Sequence, residues 1–240
     1  MSFLIAIPAY NEERHVVPVL AEVRKHAEHV LVIDDGSTDG TRGLLAQTKG
    51  ITVIRHAQNQ GYGASIVEAF RYACAEGYEY IITLDSDGQH PPQHVPAFMA
   101  AAPDADIVSG SRYLAPCPAC DTPPESRRAI NARITAIINE LTGYSLTDAF
   151  CGYKCYRVKP ICSLRLTEPG YGMPLQLWLQ AAKHCLTVRE IPVRLVYGEP
   201  ARGFGRGLDD PDARLKYYLD VIEREKLVPA PTRCTCNKRC

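Results

Sequence analysis

The 240-residue chain lacks any apolar run approaching the ~20 residues that a helix needs to cross a bilayer. Its apolar runs, such as residues 3–7 and 30–33, are the size of strands. It also lacks net charge: 27 basic and 27 acidic residues cancel, so there is no global field to draw in nucleic acid or an anionic membrane, and phosphate recognition must be local. No internal repeat is evident. The basic-then-apolar layout of a signal peptide is missing too, and the expectation is a cytoplasmic protein. Cysteine, by contrast, is plentiful, with ten residues. Without a signal peptide the default is reduced thiols, and Cys74, Cys151, Cys155, Cys162 and Cys185 read as small core hydrophobes. Cys117 and Cys120, with Cys234, Cys236 and Cys240, have the thiols for a structural zinc but irregular spacing; a loop and a frayed tail is the simpler reading.

Short apolar runs at residues 3–8, 30–35, 51–55, 80–85 and 107–110 alternate with helical patterns at 12–27, 41–47, 62–76 and 93–101. That order predicts an α/β domain with a mainly parallel sheet, helices on both faces and a ligand site beyond the carboxyl ends of the strands. The second half adds a Pro/Cys-rich loop at 115–124, helices at 125–141, 175–184 and 212–226, and a strand at 188–196. We expect one domain over residues 1–228, with a donor-binding half at 1–113, an acceptor half at 114–228 and a tail at 229–240.

Polar residues gather at three of those strand ends. In the stretch from Thr83 to His90, Asp85 and Asp87 stand two apart with Ser86 between them, so they can converge on one hard cation while leaving room for water and phosphate oxygens. Gln89, and His90 with it, are placed to complete the shell. A solvated turn built from the same Asp, Ser and Gly residues is the alternative. In Asp34–Thr41, Asp35 can accept hydrogen bonds from a base or ribose, while Asp39 reads as a helix cap. At the end of the first strand, Pro8 leads into Tyr10, a flat face for a base, Asn11, a capping residue, and Glu12, an acceptor. One sheet would bring all three loops to a single crevice.

The segments IPAYNEE, VIDDGSTDGT, LDSDGQHPP and SGSRY together resemble the ordered signature of family 2 glycosyltransferases, in particular the dolichyl- or polyprenyl-phosphate mannosyltransferase branch. The resemblance covers about residues 3–157 and implies a GT-A fold and transfer with inversion from a nucleotide diphosphosugar of GDP-mannose or UDP-glucose type. It implies that Asp35 belongs to the nucleotide site, that Pro8, Tyr10 and Glu12 line it, and that Asp85, Asp87 and Gln89 bind magnesium or manganese. Arg112 would face the donor diphosphate or sugar. The segment Thr147–Lys154 matches the family's TDxxSGF(R/K) stretch, with Cys151 where serine is common. An acceptor hydroxyl needs a base, which Asp148 could supply; a polyprenyl phosphate is already ionised and needs none, leaving Asp148 as an organiser and Lys154 and Arg157 as phosphate partners. Arg202 and Arg206, on a Gly-rich loop, could close over the diphosphate. Such an enzyme would work in the cytoplasm, peripheral to the inner face of the membrane. A hydroxyl-accepting transferase, a nucleotidyltransferase and a non-catalytic nucleotide-sugar binder are the competing readings.

Overall fold

The computed structural model describes residues 1–117, 120–196, 203–205 and 207–229. Seven strands form one sheet: β1 (Phe3–Ala9), β2 (Val30–Asp34), β3 (Thr52–Arg55), β4 (Tyr80–Thr83), β5 (Ile107–Ser111), β6 (Lys154–Arg157) and β7 (Val188–Pro192). Their spatial order is β3-β2-β1-β4-β6-β5-β7. Among these pairings only those made by β6 are antiparallel. The chain walks outward from β1 through β2 to β3, then returns to place β4 on the other side of β1. The carboxyl ends of β1 and β4 therefore flank a topological switch point, where open α/β sheets hold their ligands.

Alternation along the strands fixes which layer covers each face. Leu4, Ala6, Leu31, Ile33 and Ile81 point to one core, and Ile5, Ile7, Val30, Val32 and Ile82 to the other. The first core is closed by α3 (Tyr62–Ala75), α5 (Glu125–Thr142), α7 (Met173–Lys183) and α8 (Pro211–Lys226). The second is closed by α1 (Val16–Val23), α2 (Thr41–Gln47) and α4 (Val95–Ala101). Both faces are apolar, so the central strands read as near-continuous hydrophobic runs. Helix α5 stops where Gly143 takes φ 72° and its N–H donates to the carbonyl of Asn139, a left-handed cap that glycine adopts without strain. α6 (Val158–Ile161) follows β6 directly.

Three expectations need correction. The first helix starts at Val16 rather than residue 12, because Asn11 sits at φ 56° and the chain turns through Glu12 to His15 before it can propagate a helix. The last strand ends at Pro192, short of residue 196. The thiols are not uniformly reduced: Cys74, on the last turn of α3, is joined to Cys162 just beyond α6, and Cys117 is joined to Cys120. These pairs have Cα separations of 6.3 and 5.3 Å, within normal disulfide reach. Cys185 is also disulfide-bonded, whereas Cys151 and Cys155 are free and buried as expected. Cys234, Cys236 and Cys240 lie outside the described residues.

The amino end of α3 packs tightly on the 168–173 segment. A Cβ on Gly63 would lie 2.2 Å from the Glu168 carbonyl oxygen and 2.8 Å from the Met173 Cβ, whereas one on Gly43, inside α2, meets nothing within 4 Å. Gly63→Ala should therefore cost on the order of 1–3 kcal/mol as an overpacking substitution. Gly43→Ala should instead stabilise by roughly 0.5–1 kcal/mol through lost chain entropy. Thermal unfolding of the two variants beside the parent checks the opposite signs.

Candidate active site

The loops after β1 and β2 hold each other. The Asn11 N–H donates to Ser37 Oγ at 3.1 Å and its Oδ1 accepts from the Thr38 N–H at 2.8 Å, while the Glu12 N–H donates to Thr41 Oγ1 at 2.7 Å. Asp39 accepts from the Thr41 N–H at 3.0 Å, but the N-cap of α2 is Gly40, one residue later than the cap read from the sequence. The loop after β4 is tied to β1 by Ser86 Oγ, which donates to the Pro8 carbonyl at 2.8 Å. These ties gather Pro8, Tyr10, Glu12, Asp35, Asp85, Ser86, Asp87, Gln89 and Arg112 around one cavity of about 960 Å³. Tyr10 stands at its edge, 41% exposed, and Glu12 is buried with Oε2 3.2 Å from His15 Nδ1.

Asp35 lines this cavity, but its carboxylate is engaged within the protein. Oδ1 meets His56 Nδ1 at 2.7 Å and accepts from the Gln60 N–H at 2.8 Å, and Oδ2 accepts from the Gly61 N–H at 2.8 Å. It fixes the turn that launches α3.

Asp85 and Asp87 are different. Burial raises the Asp85 carboxyl to about 6, with Lys154 and Arg112 opposing the shift, and burial together with the neighbouring Asp85 raises Asp87. His90 Nδ1 lies 3.4 Å from Asp85 Oδ2 but accepts the Asp85 N–H at 3.0 Å. Its ring is neutral, since burial lowers it to about 4, so this contact is not an ion pair. Asp87 Oδ1 accepts from the Gln89 N–H at 2.9 Å. The fit around Asp85 is close: a Cβ on Gly152 would lie 2.7 Å from Tyr62 Oη and 3.1 Å from both Asp85 carboxylate oxygens.

Arg112, its side chain 19% exposed, and the fully buried Asp148 form a bidentate pair beside the cavity. Arg112 Nε donates to Asp148 Oδ2 at 2.6 Å and Nη2 to Oδ1 at 2.9 Å. The Arg112 N–H adds a 3.3 Å bond to Oδ2, and Asn131 Nδ2 and the Phe150 N–H reach Oδ1 at 2.9 and 3.2 Å. Five donors thus surround a carboxylate that is fully buried. Burial alone would raise its pKa, but Arg112 and Asn131 outweigh that and hold it at about 2. Such a group is a poor proton acceptor and a strong anchor: it fixes the guanidinium, which faces the cavity.

Not every residue read from the sequence comes to the cavity. Lys154 lies inside the core, its Nζ donating to the Cys151 carbonyl and standing 5.3 Å from the Trp178 ring centre. Arg157 is at the far end of the sheet, 3.9 Å from Asp106. For Arg157 the reason is strand β6, whose antiparallel pairing sets it beside Tyr80 at the amino end of β4; Lys154 pairs with Thr83 at the carboxyl end, but its side chain is buried in the core. Neither lines the cavity as a phosphate partner. Arg202 and Arg206 lie outside the described residues.

The structure adds residues that the sequence did not single out. Tyr62 and Tyr171 stack at 5.9 Å, and Phe204 is flanked by the guanidinium carbons of Arg127 and Arg214 at 4.6 and 4.7 Å. Tyr217, from α8, donates to Glu168 at 2.6 Å and accepts from the Gly172 N–H at 3.0 Å. Asn131 interrupts the apolar stripe of α5 between Ile130 and Ile134, a visible sign of a buried polar contact.

Residues 4–164 match the family model described as Glycosyl transferase family 2. The chain belongs to glycosyl transferase family 2. The transferase is 30% identical over 209 residues to the undecaprenyl-phosphate mannosyltransferase of Micrococcus luteus, covering 83% of this chain and 85% of that one. It is 29% identical over 202 residues to the polyprenol monophosphomannose synthase of Mycolicibacterium smegmatis, covering 79% and 76%. Among solved structures, glucosyl-3-phosphoglycerate synthase from Mycobacterium tuberculosis superposes with a TM-score of 0.72 at 18% identity, over 95% of this chain and 81% of that one. That likeness, and one to S. aureus TarS at a TM-score of 0.63 over 98% and 69% of the two chains, shows the GT-A fold.

The depressed acidity of Asp148 has a definite sign. Its folded pKa of about 2 lies below the ordinary carboxylate value of ~3.9. The stability it contributes is therefore complete above pH ~4 and lost as pH falls toward 2. Asp148→Asn should remove that part of the acid unfolding profile. It should also destabilise by roughly 3–5 kcal/mol at neutral pH, because Arg112 is left buried without its counter-charge. Denaturant melts of parent and variant across that pH range test both.

Proposed function

We propose that this transferase moves a hexose from a nucleotide diphosphosugar to a polyprenyl phosphate at a membrane surface, with inversion and with the help of a divalent cation. The observation that carries the acceptor assignment is the saturation of Asp148. In a single displacement the acceptor oxygen attacks the anomeric carbon as the bond to the diphosphate breaks, and a hydroxyl acceptor must lose a proton to a base. Asp148 is fully occupied, and Glu168, on the acceptor side of the cavity, is tied to Tyr217, Arg224 and the Gly170 N–H. A phosphomonoester brings its own anionic oxygen, its second pKa being near ~6. The names of the M. luteus and M. smegmatis relatives agree with such an acceptor. No helix among the described residues is long and apolar enough to cross a membrane.

Asp85, Asp87 and Gln89 would hold magnesium or manganese. The fit rests on the donor set: two carboxylates two residues apart that line the cavity, whose like charges repel, with no cationic hydrogen-bond partner among the described residues. Bound there, the cation would offset negative charge on the departing diphosphate. The chain's own contribution on that side is Arg112, whose Nε and Nη2 are held by Asp148 so that the rest of the guanidinium is aimed at the cavity. Residues 1–113 would supply the donor half. The acceptor half, from 114–228, would set Arg127 and Arg214 near the incoming phosphate and Phe150, Tyr171 and Tyr218 along the chain that carries it.

The test begins with a panel of nucleotide sugars in thermal-shift assays with and without manganese. The stabilising donor is then used for turnover with polyprenyl phosphate and with the matching unphosphorylated polyprenol. Transfer to the phosphate alone is expected; efficient transfer to the alcohol would return the acceptor to the hydroxyl class. Asp87→Ala should abolish the manganese-dependent shift with little loss of stability, and unchanged turnover in that variant would refute the cation site. Arg127→Ala should raise the KM for polyprenyl phosphate by on the order of tenfold, the size of one lost charge-assisted contact, and leave the donor KM alone.

A further inference from the structure

Arg112 is held by Asp148, and the structure also shows what holds Asp148. The loop carrying it runs from the end of α5 to β6 and is met on its outer side by Glu190, in the middle of β7. Glu190 Oε2 accepts from the Thr147 N–H at 2.8 Å and from Thr147 Oγ1 at 2.8 Å, while Oε1 accepts from the Asp148 N–H at 3.2 Å. Thr147 Oγ1 also lies 2.5 Å from Ser111 Oγ, which in turn accepts from the Tyr113 N–H at 3.2 Å. The directions follow from the end of the chain. An ionised carboxylate only accepts, so Thr147 gives its single hydroxyl proton to Glu190, and Ser111 must then be the donor to Thr147.

We propose that Glu190 is a positioning residue for Arg112, acting through the backbone of Asp148 and through a one-way hydroxyl relay from Thr147 to Ser111. The relay ends on the Tyr113 N–H, so it grips the chain on both sides of Arg112. The same carboxylate thereby registers both halves of the ion pair, one on the loop before β6 and one at the end of β5. Pairing of β5 with β7 sets Glu190 beside Ser109, two residues short of Ser111. Loss of the carboxylate would free the 147–148 backbone and the 111–113 backbone together, and the guanidinium would lose its fixed aim without losing its partner.

Glu190→Gln keeps the shape but sets an amide N–H₂ against a backbone or hydroxyl donor in either flip. Thr147→Val cuts the relay at constant volume, and Thr147→Ser restores the hydroxyl. The turnover arm rests on the proposed function. Glu190→Gln and Thr147→Val should each lower kcat by on the order of 10- to 100-fold, as small misplacements of a charge-stabilising group do, with donor KM within about twofold. Thr147→Ser should recover most of that loss. The second arm does not depend on activity: the Nε–Hε resonance of Arg112, assigned by its disappearance in Arg112→Lys, should be sharp and shifted downfield in the parent and should move or broaden in Glu190→Gln. An unchanged resonance in Glu190→Gln overturns the proposal, and so does equal turnover of Thr147→Val and Thr147→Ser. Should the parent itself transfer no sugar to any acceptor tried, the functional reading fails, and the resonance still decides the role of Glu190.

Discussion

A buried carboxylate and the largely covered guanidinium paired with it at the cavity govern the rest of this site. Removing two ions from water is costly, and their attraction repays the loss only when the geometry is good and every remaining lone pair is satisfied. Arg112 and Asp148 meet that condition with two parallel side-chain bonds, and Asn131 and two backbone N–H groups complete the carboxylate. The consequence is chemical as well as structural. A carboxylate so engaged cannot serve as a base, whereas the cation it anchors keeps a fixed direction, which is what stabilising a departing diphosphate requires. An acceptor that arrives already charged is the natural complement.

The sheet explains why these groups face the Asp85–Asp87 pair. Reversal of strand order at β1 and β4 opens a crevice between their carboxyl ends, and the Ser86 to Pro8 bond closes its floor. Strand β5 reaches the same end of the sheet because β6 runs backward between it and β4. Asp85 and Asp87 repel each other, and the Arg112 guanidinium lines the same cavity. Aromatic side chains from α3, the 168–174 segment and α8 line the rest of the cavity.

Much of this was legible in the amino-acid sequence, and the reason is local. In a parallel α/β sheet the ligand-facing loop directly follows its strand, so the residues after β1, β2 and β4 announce themselves within a few positions of an apolar run. What depends on distant pairing did not show. Strand β6 is four residues long, begins with lysine and ends with arginine, and its partners lie more than forty residues away, so no period marks it; that is why its two cations read as phosphate partners, whereas Lys154 lies in the core and Arg157 at the far end of the strand. The Cys74–Cys162 bridge spans 88 residues, and the grip of Asp148 on Arg112 spans 36. Asp35 lines the cavity, but its occupation by His56 and two N–H groups is visible only in three dimensions.

The most direct measurement of this account is a double-mutant cycle on Arg112→Gln and Asp148→Asn, read by denaturant unfolding at neutral pH. If the pair is the anchor described, each single variant loses several times more stability than its share of the double variant. The cycle then yields a coupling toward or beyond the upper end of the ~0.5–3 kcal/mol seen for residues in contact. Additive losses, with no coupling outside error, would show that the two side chains do not hold each other, and the argument for a charged acceptor would fall with them.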